Sequence, residues 1–415
     1  MLLIGDVHIN SLHKDRILDS IKKFINHNDD DKELIFLGDF VYHFSYDRKA
    51  LLELLDLLLK EFGKGKSIYL LAGNHDWLSD SYVFQEAKVA FDILNTYSEN
   101  KIYFVTSPLD TNIDGKRCLF LPYNIHYYSQ GVIPNFEKLS QKEIYQNLIN
   151  SNNKNERYSA YVNMYLEEQL DRSSYDIVFH HHYFVNTQFP GQKARFSYKD
   201  LALSDSFLKY NGVKFISGHL HTGFSVDNYF CTGSIWANSP LEDNDFKFMY
   251  KYVNGSLYPQ ISDVNYYLSI SQEEIDYIQQ GDKTKKLELS NLKDVFKKHW
   301  EDSQKSFVSK EFPIVFPDFQ MPKINNTIIY FRTDSLGYED VPNLVNDDLM
   351  NNLKEVKIKK YSHGVNHISQ LLDLSAKDLQ NNISDWKNLL KQYLQSKFPD
   401  KYDLYLEKLK DIDVI

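Results

Sequence analysis

Five apolar runs, each ending in a short string of glycine, carboxylate, amide or imidazole residues, constrain this chain more than anything else in it. Leu2-Leu3-Ile4 leads into Gly5-Asp6-Val7-His8, and Leu34-Ile35-Phe36-Leu37 into Gly38-Asp39. Ile68-Tyr69-Leu70-Leu71 precedes Gly73-Asn74-His75-Asp76, Ile177-Val178-Phe179 precedes His180-His181-His182, and Val213-Lys214-Phe215-Ile216 precedes Gly218-His219-Leu220-His221. Short β-branched and aromatic runs bounded by such residues read as buried strands. Parallel strands of an α/β sheet deliver the residues at their carboxyl ends to one edge, where these folds bind what they act on. The five motifs are therefore expected to converge, and the chain reads as an enzyme.

At 415 residues the chain exceeds one ordinary domain. The formal net charge of -10 argues against a protein that coats nucleic acid non-specifically, although bound cations supply local positive charge at a site. The aromatic content, with 30 Tyr and 27 Phe, reads as codon bias, with base stacking as the functional alternative. Cys118 and Cys231 read as reduced core thiols, which excludes a disulfide framework or a thiolate metal site. A strand beginning at Leu2 leaves no room for a signal peptide, and no apolar run reaches the length of a membrane span. The expectation is a cytoplasmic protein without membrane contact.

Residues 1–255 alternate strand and helix signals, the pattern of βαβ units. After Asp47, the residues Leu51, Leu52, Leu55, Leu58 and Leu59 mark one face of a helix that Gly63 stops. Residues 134–172 read as a helical insertion, and 256–320 as a linker with mixed helix. Within 321–370, Thr327–Arg332 and Glu355–Lys360 read as strands around a helix over Pro342–Leu353, a small β-α-β unit. Within 371–415, Leu379, Ile383, Trp386, Leu389, Leu390, Tyr393 and Leu394 recur at helical spacing, and Pro399 ends that helix.

Asp6 and His8, two apart past a strand, can face one ion. Asp39 has two oxygens and can bridge two ions, Asn74 offers a neutral carbonyl oxygen, and His219 and His221 can each serve a different ion. This mixture of imidazole and carboxylate suits manganese, iron or zinc better than calcium or magnesium. Two ions roughly 3.5–4 Å apart activate water and clamp phosphoryl oxygens. His75, after Asn74, is placed to protonate a leaving oxygen. Asp76 either orients that imidazole or caps the loop, and His43 either reaches substrate or is a plain loop histidine.

The ordered set resembles the calcineurin-like metallophosphoesterases over about residues 1–255. The resemblance implies a four-layered α/β/β/α sandwich and two divalent ions. The first ion would take Asp6, His8, Asp39 and His221, and the second Asp39, Asn74, His181 and His219. In the triple histidine His181 is chosen, with His180 as runner-up and His182 turned to substrate or loop. Thr232-Gly233-Ser234-Ile235-Trp236 and Phe120-Leu121-Pro122-Tyr123 resemble SbcD-type DNA exonucleases more narrowly. So does the plan of residues 324–360 as a capping domain and 376–411 as helices that grip an SbcC-type ATPase. Many of those nucleases carry a histidine three residues after the second-motif aspartate. Here that place holds Tyr42, with His43 next.

The expected function is a two-metal phosphodiesterase, read first as a manganese-dependent DNA exo- or endonuclease subunit of an SbcCD-type repair complex. Iron, zinc and magnesium are the alternative metals. Its partners would be double-stranded DNA ends or hairpins and an SMC-like ATPase, with a homodimer as a further expectation. The alternatives are a free-standing cyclic-nucleotide or small-molecule phosphodiesterase or phosphatase, and a non-catalytic scaffold.

Overall fold

The computed structural model describes the chain except residues 42–47, 78–80, 131–138, 188–196, 198–199, 239–241, 281–284, 333–340, 360–394 and 396–415. His43, Tyr42, Asp47 and the Trp386 stripe lie outside the described residues.

Among the described residues the strands, in chain order, are β1 Leu2–Ile4, β2 Glu33–Phe36, β3 Ser67–Leu71, β4 Ile102–Val105, β5 Leu109–Ile113, β6 Lys116–Leu121, β7 Ile177–His180, β8 Tyr183–Phe184, β9 Ala202–Leu203, β10 Lys214–Ser217, β11 Phe224–Val226, β12 Tyr229–Cys231, β13 Phe248–Val253, β14 Ser256–Ile261, β15 Tyr266–Ser271, β16 Thr327–Arg332 and β17 Glu355–Lys359. The helices are α1 Lys14–His27, α2 Arg48–Phe62, α3 Gln85–Tyr97, α4 Ile125–Gln130, α5 Lys142–Ile149, α6 Lys154–Arg172, α7 Gln272–Gln279, α8 Leu289–Gln304, α9 Val341–Leu344 and α10 Asp347–Asn352.

The first sheet runs β14-β13-β1-β2-β3-β4 and the second β11-β12-β10-β7-β6-β5. Strands β1 to β4 are parallel, as are β12, β10, β7 and β6. Parallel strands are buried on both faces, which is why they read as continuous apolar runs rather than alternating ones. One face of the first sheet (Ile4, Phe36, Leu70, Phe104) packs with Ile21 of α1, Leu54 of α2 and Phe91 of α3. One face of the second (Leu119, Val178, Phe215) packs with Val162 and Leu166 of α6. The opposite faces meet each other: Tyr69 of β3 stacks on Phe120 of β6 at 5.1 Å, and Phe230 of β12 meets Tyr250 of β13 at 4.9 Å. The result is the four-layered α/β/β/α sandwich expected from the sequence, and many of the abundant aromatic rings fill its middle.

Four local expectations change. Leu51, Leu54, Leu55 and Leu58 are the buried face of α2, while Leu52 and Leu59 are exposed. A near-continuous leucine run leaves the phase of the apolar stripe open, and only the sheet beneath fixes it. Helix α6, within the stretch read as an insertion, is the outer layer on the second sheet. The stretch read as linker holds β15, whose residues Tyr266, Leu268 and Ile270 are buried, and α8, which buries Phe296 and Trp300. Strand β15 joins β16 and β17 in a three-stranded sheet of order β15-β16-β17. The helix expected over Pro342–Leu353 is two short ones, α9 and α10, the second capped by the Asn346 side chain on the Leu349 amide at 2.8 Å.

Two compact units divide the chain, Met1–Tyr330 with Val341–Lys357 and Phe331–Asp340 with Ile358–Ile415. No helix among the described residues is long and apolar enough to cross a membrane.

Candidate metal centre

The two sheets bring their parallel strands to a common edge, and the residues after β1, β2, β3, β7 and β10 meet there. Sharp turns put them in place. His8, Asp39 and His219 all adopt left-handed backbone, at φ of 43°, 51° and 77°. Such conformations cost of order 1–3 kcal/mol each in residues other than glycine and persist where the surroundings over-determine them. Gly38 has φ 109°, and a Cβ there would collide with the His181 ring; a Cβ on Gly73 would collide with the Asp39 carboxylate. Gly38 and Gly73 are thus positions where a ligand side chain passes against bare backbone.

Two triads result among the described residues. Asp6, His8 and His221 place one ligand atom each within 4.8 Å of one another, and Asp39, His181 and His219 do the same. Asp39 belongs to both neighbourhoods: its Oδ1 lies 3.2 Å from His181 Nε2 and its Oδ2 3.7 Å from His8 Nε2. Asn74 Oδ1 joins the second triad, 3.1 Å from His181 Nε2 and 3.0 Å from His219 Nδ1.

The hydrogen bonds assign which ring nitrogens carry lone pairs. His8 Nδ1 faces the Val41 carbonyl at 3.3 Å and His221 Nδ1 faces the Glu242 carboxylate at 2.8 Å, so both protons sit on Nδ1. The two Nε2 atoms then point lone pairs at each other across 3.0 Å. His181 Nδ1 is likewise bound to the Leu37 carbonyl at 2.6 Å, which turns its Nε2 toward the Asp39 and Asn74 oxygens. Asp6 Oδ2 is buried with no hydrogen-bond partner among the described residues. Opposed lone pairs and an orphaned buried carboxylate oxygen are unfavourable unless a cation lies among them. The donor set of imidazole, carboxylate and amide oxygen fits a pair of divalent transition-metal ions.

Electrostatics separate the ligands. Burial pushes His8 and His219 down to about 3, so both are neutral ligands at ordinary pH. Burial, with Asp39 nearby, lifts Asp6 to about 7, although His181 acts against it. Burial would lower His181, but the Asp39 carboxylate outweighs it and lifts the ring to about 10. Asp39 itself is held far below the usual carboxylate range: burial opposes this, and His181 outweighs it.

The remaining candidates divide. His75 lies at the centre, its amide donating to Asp39 Oδ1 at 2.9 Å and its ring edge-on to His8 at 5.0 Å. Asp76 lies beneath: its oxygens accept from the Phe40 amide at 2.7 Å and the Gly73 amide at 2.8 Å. That geometry ties the second motif to the third, the loop-capping role rather than the imidazole-orienting one. Burial lifts Asp76 to about 7. Among the three consecutive histidines only His181 turns to the centre. His180 packs among Phe184, Tyr229 and Phe215, burial pushes it down to about 3, and burial drives His182 well below its ordinary value.

Other residues at the site carry no motif in the sequence. Glu242 and Lys247 reach it from the segment before β13, with Lys247 Nζ 2.8 Å from Glu242 Oε2. Tyr183 stacks on His219 at 5.5 Å. Trp236, which the sequence offered only within the Thr232–Trp236 resemblance, donates Nε1–H to the Val7 carbonyl at 2.7 Å and pins the first motif.

The sequence profile of the calcineurin-like phosphoesterases matches residues 1–223. No curated protein matches the chain. Among solved structures, a dimetal phosphatase from Danio rerio is similar at 14% identity with a TM-score of 0.32, over 61% of this chain and 92% of that one.

Proposed function

Since the chain belongs to the calcineurin-like phosphoesterase family, and is a metal-dependent hydrolase by its fold and its two ligand triads, we propose that it is a free-standing phosphodiesterase or phosphatase acting on a small or cyclic phosphoester. The single observation that carries this reading is Asp39, one carboxylate with an oxygen turned to each triad. Asp6, His8, Asp39 and His221 would hold one ion, and Asp39, Asn74, His181 and His219 the other. The ions supply Lewis acidity to phosphoryl oxygens and lower the pKa of water.

The chain's own residues do the rest. His75 stands half-buried beside the triads and delivers a proton to the departing oxygen. Asp76 and Trp236 hold the loops that carry Asp39, Asn74 and His8. The test of His75 uses two substrates. His75→Ala should cut hydrolysis of an alkyl phosphodiester on the order of 100-fold or more, and that of a p-nitrophenyl ester far less, because nitrophenolate leaves without a proton. Equal losses on both would remove His75 from the acid role.

A second reading, the DNA nuclease with an SbcC-type ATPase, has two observations in its favour. Arg16 Nη1 is buried with no hydrogen-bond partner among the described residues, and Arg16 and Lys354 flank His13, which itself meets Trp236 at 5.0 Å. Burial, then Lys354 and Arg16, push His13 down to about 4. A cationic group beside the first motif suits a phosphate neighbouring the scissile one. Helix α3 also exposes Val89 at 58%, Ile93 at 57% and Tyr97 at 87%, a row that suits the homodimer. Degradation of duplex DNA with manganese, lost when residues 376–415 are removed while small esters are still cleaved, would favour this reading. Intact DNA in the presence of an SMC-like ATPase would leave the free-standing enzyme.

A further inference from the structure

His221 differs from His8 and His181. Its side chain is 31% exposed, whereas those of His8 and His181 are fully buried. His8 and His181 are steadied by main-chain carbonyls, those of Val41 and Leu37. His221 instead gives its Nδ1–H to a side chain, Glu242 Oε1, at 2.8 Å. The other oxygen of Glu242 is held by Lys247 Nζ at 2.8 Å.

Lys247 is buried, with 2% of its side chain exposed, and its ammonium has three partners. These are Glu242, Asp245 Oδ2 at 2.8 Å and the carbonyl of His221 itself at 2.7 Å. A buried ammonium is retained only when its donors are met. Here they tie Glu242 to the backbone of the very residue that Glu242 orients. The network closes on His221 from ring and main chain together. The Lys247 ammonium and the His221 N–H both face the Glu242 carboxylate, which accepts from each.

We infer that Glu242, clamped by Lys247, is a positioning residue of the first metal site: it fixes the His221 proton on Nδ1 and aims Nε2 at the cation shared with Asp6 and His8. The inference rests on the dinuclear reading of the site. A carboxylate behind a ligand imidazole sets the tautomer and raises its basicity, and losing one costs 10–100-fold in metal affinity in sites of this kind.

The test is manganese binding to the full chain, measured by calorimetry and by the paramagnetic resonance signal of coupled ions. The wild type should take two ions. Glu242→Ala should weaken one of the two by about 10–100-fold, leave the other unchanged and lose the coupled signal, and added acetate should restore part of both. Glu242→Gln keeps the shape if the alanine variant fails to fold, and should show the same one-sided weakening to a smaller degree. Two unchanged affinities, or an equal fall in both, would overturn the role of Glu242 alone. A wild-type chain that takes up no manganese would overturn it together with the dinuclear reading.

Discussion

The two triads share Asp39 yet are built differently. Each has two buried ligands and one half-buried one, and in the second, Asp39, His181 and His219 with Asn74, the key ring is fixed by the Leu37 carbonyl just past β2. In the first, Asp6, His8 and His221, a side-chain network of Glu242, Lys247 and Asp245 takes the place of main chain behind the half-buried His221. A ligand fixed by backbone is as rigid as the sheet that carries it. A ligand fixed by side chains depends on their charges being matched. The second site should therefore be the tighter and the less adjustable, and the first the one that responds to its surroundings.

The strongest way to break that contrast is Asp39→Asn, which strikes both sites. Hydrolysis should fall on the order of 1000-fold, and manganese uptake should drop from two ions. Retention of two coupled ions would remove Asp39 as the shared ligand. Asp76→Ala acts on both triads through the fold rather than through a ligand. Leaving the Phe40 and Gly73 amides buried and unpaired should cost about 2–3 kcal/mol in urea unfolding. A loss confined to activity would instead give Asp76 a chemical role.

Gly38→Ala sharpens the contrast by striking one side directly. Its Cβ would meet the His181 ring at a φ of 109°, so the second ion should weaken by about tenfold or more and the first less, through the adjoining Asp39. The smallest effect is in pH. Protons compete with ions for ligands. Asp6, lifted to about 7, should make the first affinity fall about tenfold per unit below pH 7 and level off above it. His181, lifted to about 10, should keep the second affinity rising from pH 7 toward pH 9. Two isothermal series at pH 6, 7, 8 and 9 would separate the curves, and identical slopes would erase the difference between the triads.

Much of this was legible before folding was considered. Strands β1, β2, β3, β7 and β10 stand where the apolar runs are, because strands buried on both faces cannot hide among polar residues. The ligands stand just past them, because only there does the backbone turn sharply enough to face outward. What resisted was phase and partnership. The leucines of α2 fit two faces, the three histidines in a row left His180 as runner-up to His181, and α6 read as an insertion until it covered a sheet. Glu242 and Lys247 have neither motif nor periodicity, since a residue that acts through another needs only to be near it.

By itself the sequence determined which chemical groups are available and that they lie at strand ends, because residue type and hydrophobic period are local properties. Only the tertiary structure decided that Asp39 faces both triads, that His181 rather than its neighbours turns inward, that Asp76 serves backbone, and that a buried Lys247 stands behind Glu242. Each of those depends on two sheets packing face to face, which brings residues more than a hundred positions apart within hydrogen-bond distance, as with His181 and the Leu37 carbonyl.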